Sequence, residues 1–202
     1  MNDTIFKDRI AALLQVMQAT KTIKADNIPC KIEEVVVFEL LILIFNLITH
    51  EIVLVLYQGL YLGSLGAAHD KSTLKRLNVT HILTVAHSLS PAHPNDFIYK
   101  TIPVMDREDV DISQYFSECF KFIEEAKKTG GAVLVHCFAG RSRSVTIVVA
   151  YLMMKNGMNL SEALEHVKRK RPVASPNSGF ISQLQNFERS LQESKTGRAR
   201  EL

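Results

Sequence analysis

The stretch from Val133 to Ser144, V-L-V-H-C-F-A-G-R-S-R-S, constrains this chain most. An apolar run (Ala132, Val133, Leu134, Val135) stops at His136-Cys137. Five residues later come Arg143-Ser144 and a second apolar run from Val145 to Met154. This pattern predicts a buried strand, a tight loop with one glycine, and a buried helix. The cysteine at the strand end and the arginine at the helix start then face one small hollow. Backbone N–H groups of such a loop converge on a point, and the helix N-terminus adds roughly half a positive charge. The hollow suits a dianion, with a sulfur at its floor.

Elsewhere strands alternate with helices. Leu60 to Gly63 reads as a short strand, Asp70 to Leu77 as a helix, His81 to Ala86 as a buried strand. A proline-containing loop, His87 to Asp96, leads to a strand at Phe97 to Val104. Ile112 to Lys128 is an amphipathic helix with Gly130 as its cap. Gly157 ends the helix after the loop, and Asn159 with Glu162 forms a capping box for the next. That helix closes on Lys168-Arg169-Lys170-Arg171. The last is expected to start with Ser175 as N-cap and Pro176 at its first position. The fold class that follows is α/β, a central mainly parallel sheet flanked by helices.

A chain of 202 residues is one domain plus extensions. A net charge of +3 is too small to argue for nucleic acid as a partner. Three cysteines, one in a reactive motif, form no disulfide framework and indicate a reducing compartment. The N-terminus lacks the basic-then-apolar order of a signal peptide. The expected location is cytoplasmic; the basic run at 168–171 leaves a nuclear address open, although cations at a helix C-terminus are ordinary. No metal-ligand spacing occurs, and the chemistry calls for no cofactor.

His136-Cys137-Phe138-Ala139-Gly140-Arg141-Ser142-Arg143-Ser144 resembles the His-Cys-x5-Arg-Ser signature loop of cysteine-dependent protein phosphatases. The Arg-Ser ending and short chain resemble the dual-specificity branch, nearest to small plant, MAP-kinase-phosphatase-like enzymes. The likeness extends from Ile32 to Leu191, through Gly59-Leu60-Tyr61-Leu62-Gly63-Ser64, Val79-Thr80-His81-Ile82-Leu83 and Arg171-Pro172 to Gly179-Phe180. It implies a phosphatase domain over 32–193, an N-terminal extension over 1–31 and a disordered tail over 194–202.

One segment interrupts it. Residues 35–58 are almost wholly apolar, broken by Glu39, Asn46, His50 and Glu51. A membrane span is disfavoured, because no uncharged run approaches the ~18 residues it needs. A buried strand pair suits the β-branched content. The favoured reading is a translated intron. The segment lacks Lys, Arg, Gly, Pro, Ala and Ser, and its removal joins Glu34 to Gly59 in the uninterrupted form the resemblance implies. Before it, Phe6, Ile10, Leu13, Leu14 and Met17 make one stripe of a helix over Ile5 to Ala19. That stripe reads as a helix covering the domain, or as an amphipathic calmodulin target.

The resemblance assigns roles. Cys137 is the nucleophile; a free cysteine, pKa ~8.5, is mostly protonated at neutral pH, and such loops bring it to roughly 3.5–7.5. Arg143 holds two phosphoryl oxygens through its planar fork. Phe138, Ala139, Gly140, Arg141, Ser142 and Arg143 form the phosphate-binding loop. The family carries an acid about thirty residues before the cysteine to protonate the leaving oxygen, where Asp106 lies, with Asp109 and Asp111 as rivals. Asp111 also reads as a cap for the following helix. Ser144 is expected to hydrogen-bond the departing thiolate and His136 to orient the loop. Asn177 braces the loop, or is simply a first-turn helix residue. Arg141 is expected to point outward or to meet acidic residues near a phosphosite.

The resulting expectation is a phosphatase for phosphotyrosine, phosphoserine and phosphothreonine in proteins, with MAP kinases among its substrates. Two alternatives stand beside it. One is a catalytically impaired phosphate-binding interaction module. The other is a phosphoinositide or RNA 5′ phosphatase, against which the uncharged Phe138-Ala139 pair counts.

Overall fold

The computed structural model describes residues 30–31 and 59–198. The helix expected over 5–19, with its calmodulin reading, and the 35–58 segment lie outside the described residues. So do residues 199–202.

Among the described residues five strands form one sheet: β1 (Cys30–Lys31), β2 (Leu60–Gly63), β3 (Val79–Val85), β4 (Ile98–Ile102) and β5 (Ala132–His136), in the order β1-β2-β5-β3-β4. β1 runs antiparallel to β2, and every other pairing is parallel. β5 is central, and all five of its residues are buried. An unbroken apolar run is what a strand covered on both faces requires. Its residues alternate between two cores: Val133 and Val135 face one, Ala132 and Leu134 the other.

The smaller core lies under α1 (Leu65–His69) and α2 (Lys71–Arg76), where Leu74, Ile82, Phe97 and Leu134 meet. The larger lies under α3 (Phe116–Lys128), α4 (Arg143–Asn156), α5 (Leu160–Lys170) and α6 (Ser178–Arg198). α4 is its axis, with every residue from Ser144 to Met153 buried. A helix apolar all round has to lie inside, and α4 packs against α5, α6 and β5.

Several expectations need correction. The helix expected at Asp70 to Leu77 is α2, Lys71–Arg76, capped by Asp70 through a bond from the Thr73 N–H, while α1, Leu65–His69, is a further helix that the sequence pattern does not announce. β3 begins at Val79, earlier than His81. β4 is shorter at both ends than Phe97 to Val104. The helix expected from Ile112 opens with a 3-10 turn, Ser113–Tyr115, and α3 proper starts at Phe116. α6 is capped by Asn177 and not Ser175, and starts at Ser178 and not Pro176: the Asn177 Oδ1 accepts from the Phe180 N–H at 2.9 Å. α6 also continues to Arg198, past the point where a disordered tail was expected. The capping box of Asn159 and Glu162 is present as read.

Candidate active site

β2, β5 and β3 run side by side, so Gly63, His136 and Thr84 stand level at their C-terminal ends. Ligands of open parallel sheets bind at this edge. The loop leaves β5 there and re-enters the fold as α4.

Every carbonyl of that loop is engaged away from its centre. The Cys137 oxygen accepts from His136 Nδ1 at 3.1 Å, and the Phe138 oxygen from the Leu65 N–H at 2.9 Å. Arg171 donates Nη2 to the Ala139 oxygen at 3.0 Å and Nε to the Gly140 oxygen at 2.7 Å. The Arg141 oxygen accepts from the Ser175 N–H at 2.7 Å, and the Ser142 oxygen from the Thr146 N–H at 2.9 Å. With six consecutive carbonyls tied back, the N–H side of the loop is left for the hollow. The N–H groups of Phe138, Ala139, Arg141 and Ser142 have no acceptor among the described residues. Gly140 is required twice over. Its φ is +65°, and a Cβ there would lie 2.5 Å from the Gly63 oxygen.

Cys137 is 1% exposed, and its Sγ accepts from the Gly140 N–H at 3.2 Å and from Ser144 Oγ at 3.3 Å. Arg143 starts α4 and donates Nη1 to the Val104 oxygen at 3.2 Å. Its Nε lies 3.4 Å from Asp106 Oδ2, an ion pair whose geometry falls short of a hydrogen bond, and Nε has no other acceptor. A buried guanidinium N–H lacking an acceptor is the kind of group a bound oxyanion satisfies.

Asp106 is the one of the three candidate carboxylates drawn to this loop. Its Oδ1 accepts from Ser142 Oγ at 2.7 Å and from Asn177 Nδ2 at 2.9 Å. Asp109 instead forms an exposed pair with Arg107 at 2.6 Å, which lowers its pKa. Asp111 Oδ1 accepts from the Ser113 and Gln114 N–H groups, so it caps the turn. The loop bearing Asp106 is braced by α6. Gln183 takes the Ile112 and Ser113 N–H groups and donates to the Val110 oxygen. Gly179 packs so closely on Glu108 that a Cβ would meet its carbonyl at 2.0 Å.

His136 is buried, and burial pushes its pKa down to about 4, leaving a neutral ring. A carbonyl can only accept, so Nδ1 carries the proton toward the Cys137 oxygen, and Nε2 accepts from Thr84 Oγ1 at 2.8 Å. The ring thus bonds the loop backbone on one side and β3 on the other. Asn177 stands just before α6, not in its first turn: its Oδ1 caps the helix, its Nδ2 donates to Asp106 Oδ1, and its own N–H donates to Ser142 Oγ at 3.1 Å. The side chains of Arg141, Phe138 and Ala139 are exposed.

Arg171 escaped the sequence reading. Within a run of four cations before Pro172, nothing in the pattern says which one turns inward; here it is the last, 4% exposed. Thr84, a strand residue like its neighbours in the sequence, escaped it too. Among the described residues no group of three or more His, Cys, Asp or Glu side chains could hold a metal ion.

The arrangement offers a sulfur, an anion cradle, a free guanidinium donor and a carboxylate within one cleft, which is the equipment for moving a phosphoryl group. Comparison with known proteins agrees. Residues 60–190 match the family described as "Dual specificity phosphatase, catalytic domain". The chain is 55% identical over 188 residues to "Dual specificity protein phosphatase 1" of Arabidopsis thaliana, covering 93% of this chain and 83% of that one. It is 47% identical over 132 residues to "MAP kinase phosphatase with leucine-rich repeats protein 1" of Dictyostelium discoideum, covering 65% and 16%. The crystal structure of DUSP15 superposes with a TM-score of 0.61 at 42% identity, covering 67% of this chain and 92% of that one. The chain belongs to the dual specificity phosphatase family, and residues 60–190 are its catalytic domain.

Proposed function

We propose that this phosphatase removes phosphate from tyrosine, serine and threonine side chains of proteins through a cysteinyl-phosphate intermediate. The Cys137 Sγ attacks phosphorus as the thiolate, and the bond from phosphorus to the side-chain oxygen breaks. Asp106, as the acid, gives its proton to that oxygen, which would otherwise leave poorly as an alkoxide. The loop N–H groups and the Arg143 guanidinium hold the equatorial oxygens as charge redistributes. Asp106, now a carboxylate, takes a proton from water. The water oxygen bonds to phosphorus, the sulfur–phosphorus bond breaks, and orthophosphate leaves. Ser144 Oγ donates to the departing sulfur.

The observation that carries this reading is the loop itself, with six carbonyls tied outward around a sulfur. Activated MAP kinases are the substrates we infer, supported by the name of the Dictyostelium relative.

Phosphate release from a doubly phosphorylated kinase peptide is the test. Cys137→Ser should abolish it, while Asp106→Ala should slow it about 10²- to 10⁴-fold with binding retained. Normal turnover by Asp106→Ala together with a loss in Asp109→Ala would remove Asp106 from its role.

A further inference from the structure

Two threonine–histidine pairs lie along β3. Near its start, Thr80 Oγ1 is 2.8 Å from His81 Nδ1, and the other ring nitrogen of His81 is buried with no partner among the described residues. Near its end, Thr84 Oγ1 is 2.8 Å from His136 Nε2, and here the other ring nitrogen reaches the loop, 3.1 Å from the Cys137 oxygen. This second pair crosses from β3 to β5, where Thr84 and His136 are register partners, both buried. Neither Thr84 Oγ1 nor His136 Nε2 has another partner among the described residues.

A trans peptide unit points its N–H opposite to its C=O. The bond on the Cys137 oxygen therefore sets the direction of the Phe138 N–H, the cradle donor next to the sulfur. The loop's other carbonyls have sturdier anchors. Backbone N–H groups hold the Phe138, Arg141 and Ser142 oxygens, and the Arg171 guanidinium holds those of Ala139 and Gly140. The His136 anchor alone among the six depends on where one proton sits. The ring is neutral because burial disfavours its charged form, so it carries a single N–H. In such a ring the partner of one nitrogen decides the protonation of the other. A hydroxyl that donates to Nε2 keeps the proton on Nδ1, where the carbonyl needs it.

We propose that Thr84 is a positioning residue of the phosphate cradle: its hydroxyl, acting through His136, holds the Phe138 N–H toward the anion. This rests on the phosphatase reading above and adds to it a residue that touches no reacting atom. Thr84→Val keeps the branched shape and removes the donor. It leaves Nε2 buried with an unmet lone pair, which the ring relieves by turning away and releasing the Cys137 oxygen. The Phe138 N–H then has no fixed direction, and the anion loses one aligned donor.

The test is vanadate affinity of the full chain, measured beside kcat on a phosphotyrosine peptide and a denaturant midpoint for each variant. Thr84→Val should bind vanadate about fivefold to tenfold more weakly and lose a similar factor in kcat. Thr84→Ser restores the donor and should stay within about twofold of wild type. Thr80→Val breaks the pair at the other end of β3 and should lower the midpoint alone. Unchanged vanadate affinity and kcat in Thr84→Val, whatever its midpoint, would overturn the proposal and leave the phosphatase reading standing. So would an equal loss of affinity in Thr80→Val, which would trace the effect to stability, or a Thr84→Ser as weak as Thr84→Val, which would trace it to packing. Nitrogen-15 shifts of His136 in the wild type give a check free of any variant. The proton should sit on Nδ1, and a proton on Nε2 would overturn the proposal. A wild-type chain that neither binds vanadate nor releases phosphate would overturn the phosphatase reading along with it.

Discussion

Cys119 and Cys137 are both buried, 0% and 1% exposed, and differ almost entirely in what surrounds the sulfur. Cys119 lies on the inner face of α3 in the larger core. Burial pushes its pKa up to about 12, with the Glu118 charge adding to the effect. Cys137 has donors on its sulfur from Gly140 and Ser144 and stands at the N-terminus of α4. Burial among apolar atoms disables a thiol as a nucleophile, whereas burial among donors equips it. Depth alone therefore says nothing about reactivity.

The sharpest way to break this contrast is to swap serine into each position. Cys137→Ser should lose at least ~10⁴-fold in phosphate release, while Cys119→Ser stays near wild type. Alkylation of the native protein, mapped by peptide mass, should mark Cys137 and leave Cys119 unmodified. Adding vanadate should protect Cys137. Label on Cys119 in the folded protein would erase the distinction.

The second prediction concerns what holds the donors in place. Arg171→Ala frees the Ala139 and Gly140 carbonyls, so the N–H groups lose their fixed direction. Activity should fall about 10²-fold, with a parallel loss of vanadate affinity, although this residue touches no reacting atom. Arg171→Lys should recover little, since one ammonium cannot bond both carbonyls in the same fork. Vanadate affinity unchanged in Arg171→Ala would show that the loop keeps its shape unaided.

The difference between Cys137 and Arg171 also explains what the sequence makes legible. The strand, loop and helix around Cys137 are local, bracketed by two apolar runs, and the caps at Asn159 and Gly157 are local too. Cys119 is equally legible, because α3 carries an apolar stripe. Arg171 acts on residues 31 and 32 positions away, which no periodicity records. The misplaced cap of α6 has the same origin. Ser175 and Asn177 both carry capping chemistry, but the Ser175 N–H ties its segment to the Arg141 carbonyl 34 positions back, and it is Asn177 Oδ1 that takes the Phe180 N–H, with the helix starting at Ser178. The helix Leu65–His69 escapes the pattern because five residues of L-G-A-A-H show no period of their own.

A third prediction tests the apolar half of the contrast. Cys119→Ser replaces a weakly polar sulfur with a hydroxyl in an apolar core, and among the described residues Cys119 has no hydrogen bond for it to inherit. Unfolding by denaturant should show a loss of about 1–3 kcal/mol with unchanged m-value. Cys119→Ala should cost through its small cavity instead, about 1 kcal/mol. A neutral Cys119→Ser would mean that the core is wetter there than its burial implies.

The smallest effect tests burial on the residue next to Cys137. His136 is held neutral by the same desolvation that raises Cys119, acting in the opposite direction on a base. Its folded pKa of about 4 lies below the ordinary 6.5, so protonation favours the unfolded chain. The stability this residue contributes is present above the unfolded pKa and is lost as pH falls through 6.5 toward about 4. Between about pH 7 and about pH 5.5 the loss should reach about 1 kcal/mol. His81, also lowered by burial and opposed by Glu125, titrates in the same direction, so the wild-type slope contains both. His136→Asn removes one of them and cannot gain a proton in this range. Its stability should therefore fall less steeply over the same interval, as measured by denaturant midpoints at each pH. An equal slope in the variant would mean that His136 is solvated enough to titrate normally, and that burial at the end of β5 is shallower than burial around Cys119.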